Sequence, residues 1–379
     1  MAANTPLVLV TGITSHVGSW VAYAALKVGY RVRGTVRNKA KIPESFKDIC
    51  PGSAHKAEFL EANLTSDEGW DEAVAGCDYI LHVASPFPAG EPKNPDELII
   101  PAVQGTLRVM KAASNLAVPI KRLVLTSSVA AMESGTDKVT IVDEDWTVLD
   151  SKSHPVSSYC KSKTLAEKAA WDFIASLPEE KKFELAVINP AMVFGPLLTP
   201  SATSGSITVI KMFIEPDSPA IPNIQMGIVS VFDVARAHLL AMTLPEANGK
   251  RFMLVEEDLM FKDIAQRLKK EFAQYGYKVP TIIAPDWLLR ILAHFGSPGV
   301  RAIIGLLGVV HDHVPSNAKS ILGLFSKKGE MDILKETVLA AMKAGFISDK
   351  SPGKTLTSSY VCPEFDTSMI PVAKPLASN

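Results

Sequence analysis

The sequence predicts an α/β fold: a doubly wound parallel sheet, with a smaller, loop-rich C-terminal domain. Three observations point to it. Short, continuous apolar runs recur through the first half of the chain, with amphipathic stretches between them. A glycine-bearing turn joins the first run to the first helical stretch. The regular alternation stops near residue 200. Strands buried on both faces read as unbroken apolar runs, which is the pattern of a parallel sheet covered by helices.

The first run is Leu7–Thr11. Gly12 follows at once, and 17–28 then has helical apolar spacing, so this stretch reads strand, turn, helix. Further strands are expected at 30–36, 79–83, 122–126 and 184–188, with helices at 67–75, 100–117 and 158–176. Residues 196–225 are rich in Pro, Ser and Thr and read as loop. A helix at 231–242, a strand at 251–256 and amphipathic helices at 261–275 and 330–344 complete the ordered part. Trp287, Leu288, Leu289, Ile291 and Leu292 have the spacing of a buried helix, which could also wall a substrate pocket. The stretch 348–379 shows no periodicity and reads as a flexible tail.

Composition narrows the function. A length of 379 residues suggests two domains at roughly 150 residues each. With 39 basic against 40 acidic residues, the net charge of −1 leaves no electrostatic footprint for a nucleic-acid partner. The four cysteines, Cys50, Cys77, Cys160 and Cys362, form no C-x-x-C, so neither a zinc site nor a redox dithiol is expected. His311-Asp312-His313 lacks an evident third ligand and reads as a solvated loop, so no metal is expected. The N-terminus has no basic patch followed by an apolar run, and Ala2 stands where myristoylation needs glycine. The span 287–310 carries Arg290, His294, Pro298 and Arg301, which makes it a poor membrane crossing. These features suit a cytoplasmic protein that acts on a small molecule.

The turn Thr11-Gly12-Ile13-Thr14-Ser15-His16-Val17-Gly18 has the spacing of a dinucleotide cradle. Glycines there let the backbone approach a pyrophosphate that the helix N-terminus then holds. Positions 12 and 18 are Gly, whereas position 15 is Ser, whose hydroxyl could bond a phosphate. Gly12, Ser15, His16, Val17 and Gly18 are therefore candidate cofactor residues. At the end of the second strand an acid would favour the ribose hydroxyl of NAD, and a base the 2′-phosphate of NADP. Arg37 stands there and Lys41 four residues on, which points to NADPH/NADP+. The fold thus becomes Rossmann-type: 1–197 and 227–257 form a discontinuous NADP-binding domain, 198–226 and 258–347 a substrate domain, and 348–379 the tail.

A Tyr four residues before a Lys on a helix shares its face, and the ammonium can then stabilise a phenolate. With 7 Tyr in the chain, such a pair arises by chance about 0.5 times, so one match proves little. Two occur: Tyr23-x-x-x-Lys27, in the first helix, and Tyr159-x-x-x-Lys163. The second follows a strand ending in Leu125-Thr126-Ser127-Ser128, where a serine can hydrogen-bond a substrate carbonyl. His82 is expected to pack structurally, and Cys160, beside Tyr159 but on another face of the helix, to be inert.

These residues belong to a longer set. Leu81-His82-Val83-Ala84-Ser85-Pro86, Ile100-Pro101-Ala102-Val103-Gln104-Gly105-Thr106 and Ser127-Ser128-Val129-Ala130-Ala131 come in order. Tyr159-Cys160-Lys161-Ser162-Lys163, Ile188-Asn189-Pro190-Ala191-Met192-Val193-Phe194-Gly195-Pro196 and Asp233-Val234-Ala235-Arg236-Ala237-His238 follow. The chain resembles the extended short-chain dehydrogenase/reductases over roughly residues 5–347, and most closely the dihydroflavonol-reductase-like branch beside the fungal methylglyoxal and ketone reductases. The resemblance implies NADPH-dependent reduction of a ketone or aldehyde. Ser128 would bond the carbonyl, Tyr159 deliver the proton, and Lys163 hold the nicotinamide ribose and depress the Tyr pKa. Val83, Ala84 and Ser85 would line the cofactor, with Pro190 and Val193 at its nicotinamide end and Asn63 and Leu64 by the adenine. Pro86 and Met132 would line the substrate pocket. Asn63 replaces the family's usual Asp. Met132 replaces the Asn that binds ring hydroxyls in flavonoid reductases, which argues against dihydroflavonol itself. Rivals on the same scaffold are a hydroxysteroid dehydrogenase/isomerase and a nucleotide-sugar epimerase or dehydratase. Outside catalysis the rival is an NADP-sensing regulator.

Overall fold

The apolar run Leu7–Thr11 forms β1, with every residue buried. The structure is a computed structural model and describes residues 5–86, 92–198, 205–295, 298–325 and 331–374. Ser15 caps α1 (His16–Lys27), and β2 (Arg31–Val36) follows. Then come β3 (Glu58–Glu61), α2 (Trp70–Val74), β4 (Tyr79–His82) and α3 (Asp96–Ser114). After β5 (Arg122–Thr126) and β6 (Thr140–Val142), the hydroxyl of Ser157 accepts from the Cys160 N–H to start α4 (Ser158–Ser176). Next are β7 (Glu184–Pro190), β8 (Met192–Phe194), α5 (Gly205–Ile214), β9 (Ala220–Ile221) and β10 (Gln225–Ser230). Beyond them lie α6 (Val231–Thr243), β11 (Arg251–Leu254), β12 (Glu257–Met260), α7 (Phe261–Phe272), β13 (Ile282–Ile283) and α8 (Asp286–His294). The chain continues through α9 (Pro298–Ile303), β14 (Asp312–Val314), α10 (Ser316–Ser320), α11 (Ile333–Lys343) and α12 (Thr355–Ser359).

Seven strands form one sheet in the order β11-β7-β5-β4-β1-β2-β3, every pair parallel. The connection reverses direction between β1 and β4, whose ends meet as Thr11 opposite His82. Ligands of open α/β sheets sit at such a switch point, beyond the carboxyl ends of the strands. α1 and α6 cover one face around Trp20, Val21, Phe232 and Ala235, and α2, α3 and α4 cover the other around Trp70, Val109, Met110 and Ala170. A separate core, with Phe194, Ile210, Phe213, Ile264, Leu268 and Val338, joins α5, α7 and α11 beside the three-stranded sheet β12-β10-β8.

Several expectations need correction. The stretch 196–225 contains α5 and β9: Ile207, Ile210, Phe213 and Ile214 recur at helical spacing and are buried, a short period set among the Pro, Ser and Thr that read as loop. Glu58–Glu61 was not visible as a strand because charged residues bracket its two apolar ones. The strand expected at 251–256 is shorter: β11 ends at Leu254 in the main sheet, and the antiparallel β12 begins only at Glu257. The stretch 348–374 is not a loose tail. Phe365 is 2% exposed and packs on Trp20, Tyr23 and Phe232. The Arg236 guanidinium lies 5.2 Å from the Phe365 ring centroid, and the Ala373 N–H donates to the Val28 carbonyl at 2.9 Å. Isolated anchors such as Phe365 and Ile370 leave no periodic signature. Residues 375–379 lie outside the described residues. α8 is also the reverse of a buried helix: of its residues only Leu289 is buried.

Candidate functional site

Gly12, with φ +63°, closes β1, and a Cβ there would sit 3.0 Å from the Ala84 Cβ. A Cβ on Gly18 would come within 2.3 Å of the Gly12 carbonyl oxygen. Both positions therefore need glycine if the backbone of the turn is to keep its close approach. Thr11 ties the strand ends together: its hydroxyl accepts from the Ala84 N–H at 3.0 Å and bonds His82 Nδ1 at 2.8 Å. Ser15 explains its own presence. Its hydroxyl accepts the Gly18 N–H at 3.0 Å as helix cap, and still has its own proton to donate. The His16 and Val17 N–H groups, first in α1, have no partner within the helix.

His16 is buried, and burial lowers its pKa to about 4, against a smaller upward pull from Pro196. The neutral ring must carry its proton on Nε2 to donate to the Pro196 carbonyl, at 3.0 Å. The Trp20 indole N–H donates to the same carbonyl at 2.8 Å, while His16 Nδ1 is buried with no partner in the protein. A buried orphan acceptor in the first turn, beside a close-approach turn with free N–H groups, fits a dinucleotide.

At the end of β2, Asn38 caps a short turn by accepting from the Ala40 N–H at 2.8 Å, and Glu61 accepts from the Lys39 N–H at 2.7 Å. That turn carries Arg37 and Lys41, both exposed. Neither side chain is ion-paired among the described residues. Asn63 is exposed and its carbonyl oxygen accepts from the Thr65 N–H at 3.2 Å; one lone pair stays available. Leu64 packs against α3, where a Cβ on Gly105 would meet it at 2.9 Å.

The second cluster sits at the carboxyl ends of β5 and β7. The Ser128 hydroxyl accepts from the Ala130 N–H at 3.2 Å and donates weakly to the Pro190 carbonyl at 3.4 Å. It also bonds the Tyr159 hydroxyl. Lys163 Nζ lies 5.9 Å from the Tyr159 ring centroid, one helical turn on. Burial raises the phenol pKa to about 12, and the Ser128 bond only partly offsets it. Burial lowers the Lys163 pKa to about 8, against an upward pull from Glu167. In the protein alone desolvation is the larger influence and keeps the phenol protonated. Burial, then the charge of Lys163, holds His82 neutral with a pKa near 3.

Beneath this cluster lies a network that sequence reasoning missed. Glu167 is fully buried. It accepts from Ser127 at 2.6 Å, Asn189 at 2.8 Å and Arg251 Nε at 2.6 Å. Arg251 stacks 3.8 Å from the Trp146 ring centroid and donates to the Asp143 carbonyl at 2.9 Å. The network locks α4 to the ends of β5, β7 and β11. Its one sequence signal is a Glu one turn after Lys163, opposite an Arg in an otherwise apolar strand.

Gly12 and Ala84 thus touch, and Ser128, Tyr159 and Lys163 come together. Val83 is buried, while Ala84, Ser85, Pro86 and Val193 are half-buried around the strand ends. Met132 does not join them: it is 0% exposed, packed with Val129, Ile141, Met253 and Val255, because its 3-10 turn directs it into that small core. His313 is not on a solvated loop. β14 pairs with β6 and buries it between Asp258 and Glu133, each 2.7 Å from a ring nitrogen, and these bonds outweigh burial and raise its pKa to about 9.

A close-approach turn at the switch point, with a protonated phenol and a buried lysine beyond the next strands, marks a Rossmann-type enzyme that works through a bound dinucleotide. Residues 8–254 match the family model described as the NAD dependent epimerase/dehydratase family. Cinnamoyl-CoA reductase 1 of Petunia hybrida is 34% identical over 278 residues, 73% of this chain and 79% of that protein. Tetraketide alpha-pyrone reductase 2 of Arabidopsis thaliana is 32% identical over 283 residues, 71% of this chain and 84% of that protein. Among solved structures, yeast methylglyoxal/isovaleraldehyde reductase Gre2 complexed with NADPH superposes with a TM-score of 0.72. Its identity is 26%, over 90% of this chain and 99% of that chain. The chain belongs to the epimerase/dehydratase family, the extended short-chain dehydrogenase/reductases, and is an oxidoreductase.

Proposed function

We propose that this enzyme reduces a small ketone or aldehyde to the alcohol with NADPH. The observation that carries the reading is the meeting of Ser128, Tyr159 and Lys163 where the strands end beyond the cradle. Reductases among its relatives and an NADPH-bound structural neighbour support it.

Gly12, Ser15, His16, Val17 and Gly18 would hold the pyrophosphate, Arg37 and Lys41 the 2′-phosphate, and Asn63 and Leu64 the adenine. Val83, Ala84, Ser85, Pro190 and Val193 would line the remainder, with Pro86 toward the substrate. When bound, NADPH supplies the hydride that reduces the carbonyl carbon. Ser128 donates a hydrogen bond to the carbonyl oxygen and steadies the charge that develops there. Tyr159 gives that oxygen its phenolic proton, which its raised pKa keeps in place until transfer. Lys163 orients the ribose and, with its pKa lowered to about 8, returns a proton toward Tyr159.

Unpaired Arg37 and Lys41 favour this reading over a sugar epimerase that keeps NAD. The test is cofactor consumption over aldehydes, α-dicarbonyls, aryl ketones, flavonoids and sterols, with NADPH and NADH in parallel. Turnover of at least one carbonyl, faster with NADPH, is the expected result. Tight NADPH binding with no turnover on any carbonyl would replace the reductase with a regulator.

A further inference from the structure

α8 turns its apolar side outward. Trp287 is 64% exposed, Leu288 37%, Ile291 46% and Leu292 45%, while Phe295, just past the helix, is 81%. At 100° per residue these five fall in one arc with Leu289, the buried residue, outside it. Ile282 and Ile283 in β13, just before the helix in sequence, are exposed as well. A surface helix ordinarily buries such a stripe, and an apolar patch left on the outside marks a contact with something else.

Charge identifies the contact. Arg290 and His294 sit along one edge of the arc and Arg301 follows in α9, all three exposed. Neither arginine is ion-paired among the described residues. Asp286 is the only acid between residues 279 and 310. It lies on the opposite side of the helix, its carboxylate beside the turn at Gly308. A two-fold contact with a second copy would set this basic edge against itself. An anionic bilayer surface satisfies both parts: aromatic and aliphatic side chains enter the acyl boundary while guanidinium groups meet headgroups.

We propose that the α8 face docks peripherally on an anionic phospholipid surface, with Trp287 and Phe295 inserted and Arg290, His294 and Arg301 over the headgroups. The helix lies in the interface plane and does not cross it.

The test is flotation of the full-length protein with vesicles of phosphatidylcholine alone or mixed with phosphatidylserine. Binding to the mixed vesicles, about tenfold stronger than to phosphatidylcholine and weakened by salt, is expected. Trp287→Ser with Phe295→Ser is expected to lower vesicle binding at least about tenfold while the melting temperature stays unchanged. Arg290→Glu with Arg301→Glu is expected to erase the preference for anionic lipid. Brominated lipid should quench Trp emission in the native protein and much less in Trp287→Phe. Absence of flotation at either composition overturns the proposal. So does self-association that the Ser double variant abolishes, which would assign the face to a second copy. A raised KM for water-soluble carbonyls with vesicle binding intact would place the face at the substrate entrance and overturn it equally.

Discussion

At the end of β2, Arg37 and Lys41 stand in solvent on a capped turn, with no ion pair among the described residues. At the ends of β5 and β7, Ser128 and Lys163 are buried, and Tyr159 is bonded to Ser128 over the Glu167–Arg251 network. Water sets the behaviour of the first region and its exclusion sets that of the second. An exposed charge acts through a screened field. A buried one has its protonation moved by desolvation, here upward for the Tyr159 phenol and downward for the Lys163 ammonium. The nucleotide end should therefore respond to salt and the reacting end to pH.

The largest effect belongs to the reacting end. Tyr159→Phe removes the proton donor and leaves the packing nearly intact. Turnover should fall by about 10² to 10⁴-fold, with NADPH affinity, read by fluorescence titration, changed only a few-fold. Full turnover in this variant would remove Tyr159 from the mechanism.

Met132 tests where the buried region ends. Met132→Asn would place an amide at a fully buried position of an apolar cluster, at a cost of about 2 to 4 kcal/mol read by denaturant unfolding. No activity on catechol-bearing flavonoids should appear. Unchanged stability with new flavonoid turnover would put position 132 in the substrate pocket after all.

The third prediction is a pH limb. Lys163 has its folded pKa lowered from 10.5 to about 8, so its ammonium is present below about 8 and lost as pH rises through it. Turnover should be flat toward neutrality and then fall about tenfold per unit above that point. Glu167 is the group that raises this pKa; His82 is neutral and Tyr159 protonated in the same range. Glu167→Gln should therefore move the limb to lower pH, a shift that loss of packing alone would not produce. A profile level to pH 10 would mean that the Lys163 charge is not needed.

The sheet was legible because its strands are buried on both faces. Leu7–Thr11 and Arg122–Thr126 coincide with their expected limits, and α4 does so at both ends because Ser157 caps it and Leu177 leaves it. The glycine positions and the Tyr159–Lys163 pair were legible as well, since turn geometry and helical spacing are local properties. What lay beyond reach was made by contacts distant in sequence. Phe365 finds Trp20 across most of the chain, and His313 finds Glu133 and Asp258 through two other elements. Glu167 meets Arg251 only once α4 lies across β11. The orientation of α8 was misread for a related reason: an apolar stripe shows which side chains cluster, not whether that side faces a core.

The smallest predicted effect is at the exposed end, and it separates the two regions most directly. Arg37→Ala should raise the KM for NADPH about fivefold and that for NADH by less than twofold, since a charge-assisted phosphate bond contributes roughly 1.5 to 3 kcal/mol before solvent screening reduces it. The difference should shrink as ionic strength rises, because the Debye length falls to about 3 Å at 1 M salt. The alkaline limb of Lys163 should hold its position across the same salt series, since its cause is burial. If salt moved the limb as strongly as it moved the NADPH preference, water would reach both sites alike and the distinction between them would fail. Equal KM changes for the two cofactors would remove Arg37 from 2′-phosphate recognition and leave Lys41, on the same turn, as the residue to substitute next.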